Sequence, residues 1–150
     1  MKKVVFLFTF ILAGIAAQAQ EIKWMSFNEA LAAQAKERKP IFMDVYTNWC
    51  GPCKMLDAKT FSDEKFIAYI SKNYYAVKFN AEGDEKITFK NKQYTNPNYD
   101  ANRKGRNAKH EFTSFLKVPG YPTMVIVDEK GNIKQSIVGY HTSSQLLNKL

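Results

Sequence analysis

Residues 43 to 54 read MDVYTNWCGPCK, and this segment contains both cysteines of the chain, Cys50 and Cys53. A disulfide between cysteines so close in sequence closes a very small loop, so it removes little conformational entropy from the unfolded chain. A structural zinc site needs about four ligands, and the two histidines, His110 and His141, have no ligand spacing to each other. The pattern therefore favours redox chemistry over a structural disulfide or a metal site.

Thiol–disulfide exchange gives each residue of the WCGPC motif a role. The nucleophile must be a thiolate, and a helix that begins near Cys50 would stabilise this anion through its free N–H groups and its dipole. Cys53, one turn further along, would resolve the mixed disulfide. Pro52 suits the first helical turn, and Gly51 would let the backbone turn tightly and leave the nucleophile open to a partner. Trp49 would offer a flat apolar surface beside the attacking sulfur, or it packs in the core.

The first 19 residues have the pattern of a secretory signal peptide. Lys2 and Lys3 precede an uncharged apolar run of 13 residues, and small residues at positions 17 and 19 favour cleavage after Ala19. The run is too short for a stable membrane span, although an N-terminal core helix is an alternative. We expect the mature chain to be exported, to a periplasmic or extracellular location where disulfides persist.

The rest of the chain has the composition of one globular domain, which we place at residues 20–150. Hydrophobic residues make up 45% of the sequence, enough for a core without disulfide staples. Much of the formal net charge of +8 comes from Lys and Arg between residues 86 and 109, without the regular spacing of a basic helix face. This favours a solvated insertion over a surface for an anionic partner, and we expect no nucleic-acid partner.

The hydrophobic pattern predicts an α/β fold with a mixed sheet between helices. Ser26 and Glu29 form a capping-box pattern for the first helix, and the last two strands should be antiparallel neighbours. Residues 84–111, broken by Asn96-Pro97 and Gly105, are the least regular part. The predicted elements are a short strand at 22–24, a helix at 26–39, a strand at 40–47, a helix from about 50, a helix at 64–73, a strand at 74–80, a helix at 110–118, strands at 121–128 and 133–140, and a helix at 142–150.

The segment MDVYTNWCGPCK resembles the active-site segment of the thioredoxins, in which a strand, an acid and WCGPC follow the same spacing. Asp44, six residues before Cys50, matches the family's buried acid, which serves as proton acceptor for the resolving cysteine. Lys78 matches the lysine that pairs with this acid. A carboxylate in an apolar strand is costly unless it has a partner or a task, which supports the assignment. A structural Asp bonded to nearby backbone is the alternative.

The second signature is VPGYPT at residues 118 to 123. In the family, a cis-proline loop faces the CXXC motif, and Pro122 takes that place here. The residue before it, Tyr121, would offer its backbone N–H and C=O to an extended substrate, as in strand addition. Tyr121 stands where the family usually has a small aliphatic residue, so the resemblance implies a bulkier groove.

The resemblance covers roughly residues 38 to 150 and implies a thioredoxin-like fold with an insertion at about 84–111, before the cis-proline loop. It implies a thiol–disulfide oxidoreductase outside the cytoplasm that reduces disulfides of partner proteins, with Cys50 as nucleophile and Cys53 as resolving cysteine. A membrane protein would supply the electrons, and we expect a monomer without metal or cofactor. The alternatives are a disulfide oxidase or isomerase, and a binding or chaperone module.

Overall fold

The computed structural model describes residues 20–150, so the predicted signal peptide and its cleavage site lie outside the described residues. Six strands are present: β1 Ile41–Tyr46, β2 Tyr75–Asn80, β3 Ile87–Phe89, β4 Lys92–Tyr94, β5 Thr123–Val127 and β6 Ile133–Val138. Five α-helices accompany them: α1 Phe27–Lys36, α2 Gly51–Met55, α3 Glu64–Asn73, α4 Glu111–Phe115 and α5 Ser143–Leu147. None of the helices in this part of the chain is both long and apolar enough to cross a membrane.

Four strands form a mixed sheet in the order β2–β1–β5–β6, which confirms the predicted fold class. β1 is parallel to β2 and antiparallel to β5, and β5 pairs with β6 in the predicted antiparallel hairpin. Side chains along β1 alternate between two apolar layers: Met43 packs with Phe79 and Phe112, and Phe42 packs with Phe66. The sheet is therefore covered on both faces, as the continuous apolar run of β1 predicts.

Local signals define the ends of the longer helices. Ser26 caps α1, and the predicted capping box with Glu29 is present. Asp63 caps α3 by accepting a hydrogen bond from the backbone N–H of Phe66. α1 ends at Lys36, not at the predicted residue 39, because Glu37 already adopts extended backbone before Pro40.

Several features differ from the predicted elements; α4 ends at Phe115 and not at residue 118, and α5 ends at Leu147 and not at residue 150. The short strand expected at 22–24 is wrong, since only Met25 pairs with the sheet, through one parallel bridge to Val77. The helix after Cys50 changes at Leu56–Thr60 into a π-helical turn. This turn carries Asp57, and the chain is non-helical at residues 61–63 before α3 begins.

The 84–111 segment is only partly solvated. The prediction of a solvated insertion therefore holds for only part of it. Its β3–β4 hairpin buries Ile87, Phe89 and Tyr94 in the core that contains Phe112. Residues 97–106 are exposed throughout. The segment therefore adds apolar area to one layer and extends an exposed loop from it.

Candidate active site

The two cysteines form a disulfide at the start of α2. Cys50 is the N-cap residue, its Cα lies 5.3 Å from that of Cys53, and its Sγ accepts a hydrogen bond of 3.2 Å from the backbone N–H of Cys53. A sulfur that accepts from a helix-initiating N–H is stabilised as an anion once the disulfide is reduced. The geometry therefore supports thiolate chemistry at Cys50.

Two expectations about this turn need correction. Gly51 has no left-handed backbone conformation, so a tight turn is not the reason for glycine at this position. A Cβ added to Gly51 would meet no atom within 4 Å, which leaves space above the motif. Cys50 itself is only 3% exposed, because the disulfide turns its sulfur towards Cys53. The prediction of an open nucleophile is therefore wrong for the disulfide form, whereas Pro52 lies in the first helical turn as predicted.

Asp44 lies in the middle of the sheet and is fully buried. Its register partners are Lys78 on β2 and Met124 on β5. One carboxylate oxygen, Oδ2, accepts a hydrogen bond of 2.7 Å from Lys78 Nζ, while Oδ1 has no partner among residues 20–150. Burial raises the pKa of Asp44 from 3.8 to about 6, although the positive charge of Lys78 acts in the opposite direction.

Lys78 bridges two carboxylates, Asp44 and Asp57. Burial alone would lower the pKa of Lys78, but the two carboxylates outweigh it and raise this pKa. The ammonium also lies over three aromatic rings, at 4.9 Å from the centroid of Trp24, 5.0 Å from Phe61 and 5.1 Å from Tyr46. These rings hold the cation beside Asp44 while excluding water from much of its surface.

Asp57 was not identified from the sequence, although one signal was present. It follows Cys53 by four residues, the spacing that places two side chains on one face of a helix. In the structure, a cavity of about 490 Å³ is lined by Asp57, Lys78, Trp24 and Phe61, among others. The ion pair between Asp57 and Lys78 therefore borders this cavity, while Asp44 is buried behind it.

The VPGYPT loop lies next to Trp49. The peptide bond between Tyr121 and Pro122 is cis, and the ring of Tyr121 packs edge-on against Trp49 at 5.9 Å between centroids. The Pro122 carbonyl accepts a hydrogen bond from the N–H of Gly139. In the described part of the chain, the backbone N–H and C=O of Tyr121 take part in no hydrogen bond.

Trp49 is also tied to residues that sequence reasoning missed. Its indole Nε1 donates a hydrogen bond of 2.9 Å to Glu82 Oε2, and the same oxygen accepts from the backbone N–H of Asn107 at 2.8 Å. The guanidinium of Arg106 lies 4.2 Å from the centroid of the Trp49 ring. Local sequence contains no signal for this contact, because the loop and the motif are distant in the chain.

Comparison with known proteins identifies the family. The family model described as a thioredoxin-like domain matches residues 27 to 150. The chain belongs to the thioredoxin-like family. The resemblance to thioredoxins is therefore confirmed for fold and family.

Within the described residues, no group of three or more His, Cys, Asp or Glu side chains could hold a metal ion.

Relatives of one kind, from two organisms, support this membership. The Campylobacter jejuni thiol:disulfide interchange protein DsbD is 30% identical over 112 residues, which make up 75% of this chain. The protein of that name from Yersinia pestis is 28% identical over 127 residues. These matches span only 16% and 17% of the relatives' own length.

Solved structures show the same fold. The solution structure of a candidate disulphide-isomerase from Bacteroides thetaiotaomicron has a TM-score of 0.61 at 29% identity, covering 89% of this chain and 93% of its own. A thioredoxin from Thermus thermophilus also has a TM-score of 0.61, at 17% identity, covering 86% of this chain and 84% of its own. At 17% identity the likeness concerns the fold alone.

Proposed function

We propose that this protein is a thiol–disulfide oxidoreductase that reduces disulfides of partner proteins through Cys50 and Cys53. The observation that carries the proposal is the Cys50–Cys53 pair at the start of α2, with the ion pair between the buried Asp44 and Lys78 on the adjoining strands. The names of the relatives, thiol:disulfide interchange protein and candidate disulphide-isomerase, point to the same chemistry.

In the reductive reaction, the Cys50 thiolate attacks one sulfur of the partner's disulfide. A mixed disulfide forms, the partner's S–S bond breaks, and the released partner thiolate takes up a proton from water. The thiol of Cys53 loses its proton to Asp44, and the resulting thiolate attacks the Cys50 sulfur. The Cys50–Cys53 disulfide forms, the second partner thiolate leaves, and two electrons have passed from the protein to its partner.

Asp44 suits the role of proton acceptor for the resolving step. Its Oδ1 has no partner among the described residues, and its pKa is raised to about 6 by burial, closer to the pH at which a base must work. Lys78 holds the other oxygen and keeps part of the carboxylate ionised. Lys78 and Asp57 line the 490 Å³ cavity, and the proton that Asp44 takes up passes to water once the partner has left.

The partner segment would bind between the motif and the VPGYPT loop. The unpaired backbone N–H and C=O of Tyr121 can hydrogen-bond an extended chain, as in the addition of a strand. Pro122 fixes the course of the loop next to them. Trp49 and Pro52 supply apolar surface beside the sulfurs, and the open space above Gly51 admits the partner's backbone.

Export and a reducing direction complete the proposal. The apolar N-terminal run followed by small residues supports export, and we expect N-terminal sequencing of the mature protein to begin at Gln20. The Gly-Pro pair within the motif resembles that of reducing thioredoxins. Each turnover consumes two electrons. Outside the cytoplasm, a membrane dithiol protein would supply them and so regenerate the reduced form.

A disulfide oxidase or isomerase is the second candidate, favoured by the name of the Bacteroides thetaiotaomicron relative. The reduction potential distinguishes the two directions and can be measured by equilibrating the protein with glutathione buffers. A value near −270 mV, as for thioredoxin, supports a reductase, whereas about −180 to −120 mV supports an isomerase or oxidase.

Turnover of a protein disulfide tests the proposed function. Reduction of insulin disulfides by dithiothreitol should be accelerated by the wild-type protein and not by Cys50→Ser. Normal turnover by Cys50→Ser would overturn the proposal. A binding or chaperone module predicts instead that Cys50→Ser keeps both partner binding and the cellular phenotype.

A further inference from the structure

The exposed loop at residues 97–106 reaches the active site through Arg106. Its guanidinium stacks on the ring of Trp49, 4.2 Å from the centroid, and Trp49 is the residue immediately before Cys50. Arg106 itself is exposed. The positive charge of Arg106, which is distant in sequence, therefore lies against Trp49, the aromatic neighbour of Cys50.

Hydrogen bonds hold this part of the loop in place. Glu82 Oε2 accepts from both Trp49 and the backbone N–H of Asn107, the residue after Arg106. The Asn107 side chain bonds to the backbone of Asp100, through both its oxygen and its amide nitrogen. These contacts fix Asn107, the residue next to Arg106. The backbone that carries Arg106 is therefore held in place.

Within residues 20–150 Arg106 forms no ion pair, although the carboxylate of Glu82 is bonded to the same Trp49 side chain and to the backbone of Asn107. Residues 20–150 contain three ion pairs, and all of them involve Lys39 or Lys78. The acidic group of the same loop, Asp100, accepts from the backbone N–H of Asn102. The loop also exposes two further cations, Arg103 and Lys104, and Lys109 is exposed just after it.

We propose that Arg106 is a specificity-determining residue that binds a carboxylate beside the disulfide of a partner protein. A guanidinium stacked on an aromatic face keeps its N–H edge free for a planar carboxylate. Tyr121, whose free backbone groups would hold the partner segment, packs against the same Trp49 ring. The partner is thus an extended, acidic segment that passes both Tyr121 and Arg106. This inference rests on the proposed function.

Three disulfide peptides that differ only in the residues flanking the disulfide, Glu, Gln or Lys, provide the test. The pre-reduced protein is mixed with each peptide at 0.15 M ionic strength, where exposed charges more than about 8 Å apart are largely screened from each other. In each reaction the protein's two thiols become the Cys50–Cys53 disulfide and the peptide's disulfide becomes two thiols. We expect the Glu peptide to react about two- to fivefold faster than the Gln peptide, and the Lys peptide more slowly, as for a partly exposed ion pair.

Arg106→Glu should reverse this order, and Arg106→Lys should reduce the preference because an ammonium lacks the planar fork. Lys90→Glu is the matched control, with the same charge change elsewhere in the 84–111 segment. Lys90 contacts Asn132 in the β5–β6 turn, at the end of β5 opposite to Pro122. The control should keep the wild-type order.

Equal rates for the three peptides with the wild-type protein would overturn the inference and leave the proposed function intact. An equal change of order in Lys90→Glu and Arg106→Glu would also overturn it, because overall charge would then account for the preference. If the wild-type protein reduces none of the peptides, the proposed function fails and the inference fails with it.

Discussion

Lys78 Nζ lies 2.7 Å from Asp44 Oδ2, and the two residues occupy paired positions on the parallel strands β1 and β2. Asp44 is fully buried, while the Lys78 side chain is 21% exposed and also contacts Asp57. The pair therefore connects a buried carboxylate in the sheet with a cation at the edge of the 490 Å³ cavity. This arrangement leaves one oxygen of Asp44 free to receive a proton.

The resolving step should depend on pH through Asp44. Since the pKa of Asp44 is about 6, the carboxylate form needed to accept the Cys53 proton grows as the pH rises through 6. Stopped-flow measurement of mixed-disulfide breakdown should show this inflection in the wild type. Asp44→Asn should slow the step on the order of 100-fold at pH 7 and lose the inflection. An inflection that persists in Asp44→Asn would exclude Asp44 as the base.

The same residue should destabilise the folded protein at neutral pH. The pKa of Asp44 is higher in the folded state, about 6, than its ordinary value of 3.8, so folding favours the protonated form. The free energy of unfolding should therefore fall as the pH rises from about 4 to 7, by roughly 2–3 kcal/mol from this group. Asp44→Asn should lack this fall, as measured by urea unfolding at pH 4 and 7. Parallel pH profiles for the two proteins would contradict the assignment.

Removal of Lys78 should move the pKa of Asp44 upward. The positive charge of Lys78 lowers this pKa against the effect of burial, so Lys78→Met leaves burial unopposed. The inflection in the resolving rate should shift to a pH above 6. Lys72→Met, an exposed position at the end of α3, is the matched control and should keep the wild-type inflection. An unchanged inflection in Lys78→Met would show that the pair does not set the pKa.

Asn96 should anchor the exposed loop to the rest of the fold. Its buried amide nitrogen donates to the carbonyl oxygens of Gly83 and Ala108, one on each side of the loop. Asn96→Ala should lower the free energy of unfolding by about 1–3 kcal/mol, because two partly buried carbonyl groups lose their donor. Asn98→Ala, at an exposed neighbouring position, should change it by less than about 0.5 kcal/mol. Equal effects in urea unfolding would rule out the anchor.

The sheet and the longer helices could be predicted because their signals are local. The apolar run around Met43 defines a buried strand, and the Ser26–Glu29 capping box defines the start of α1. The Cys50–Cys53 motif was found through its spacing, and Asp44 was found through the resemblance of the same short segment to the thioredoxins. Each of these signals depends only on residues close together in the chain.

The remaining features depend on contacts between distant segments or on unusual turns. The β3–β4 hairpin turns at Lys90 and Asn91, both at positive φ. Neither residue is the glycine that would have indicated a hairpin turn in the sequence. The stacking of Arg106 on Trp49 requires the folded loop, and the π-helical turn that carries Asp57 has no simple sequence signature. These features are therefore determined by tertiary packing and could not be predicted from the sequence pattern.

Mass spectrometry of a trapped intermediate tests the central claim most directly. Reduced Cys53→Ser is mixed with a disulfide peptide, and the product is quenched in acid and digested. We predict a covalent adduct of one peptide thiol on Cys50, because the resolving thiol is absent. Cys50→Ser, treated in the same way, should form little or no adduct. Absence of the adduct in Cys53→Ser, or equal adduct formation on Cys53 in Cys50→Ser, would contradict the account.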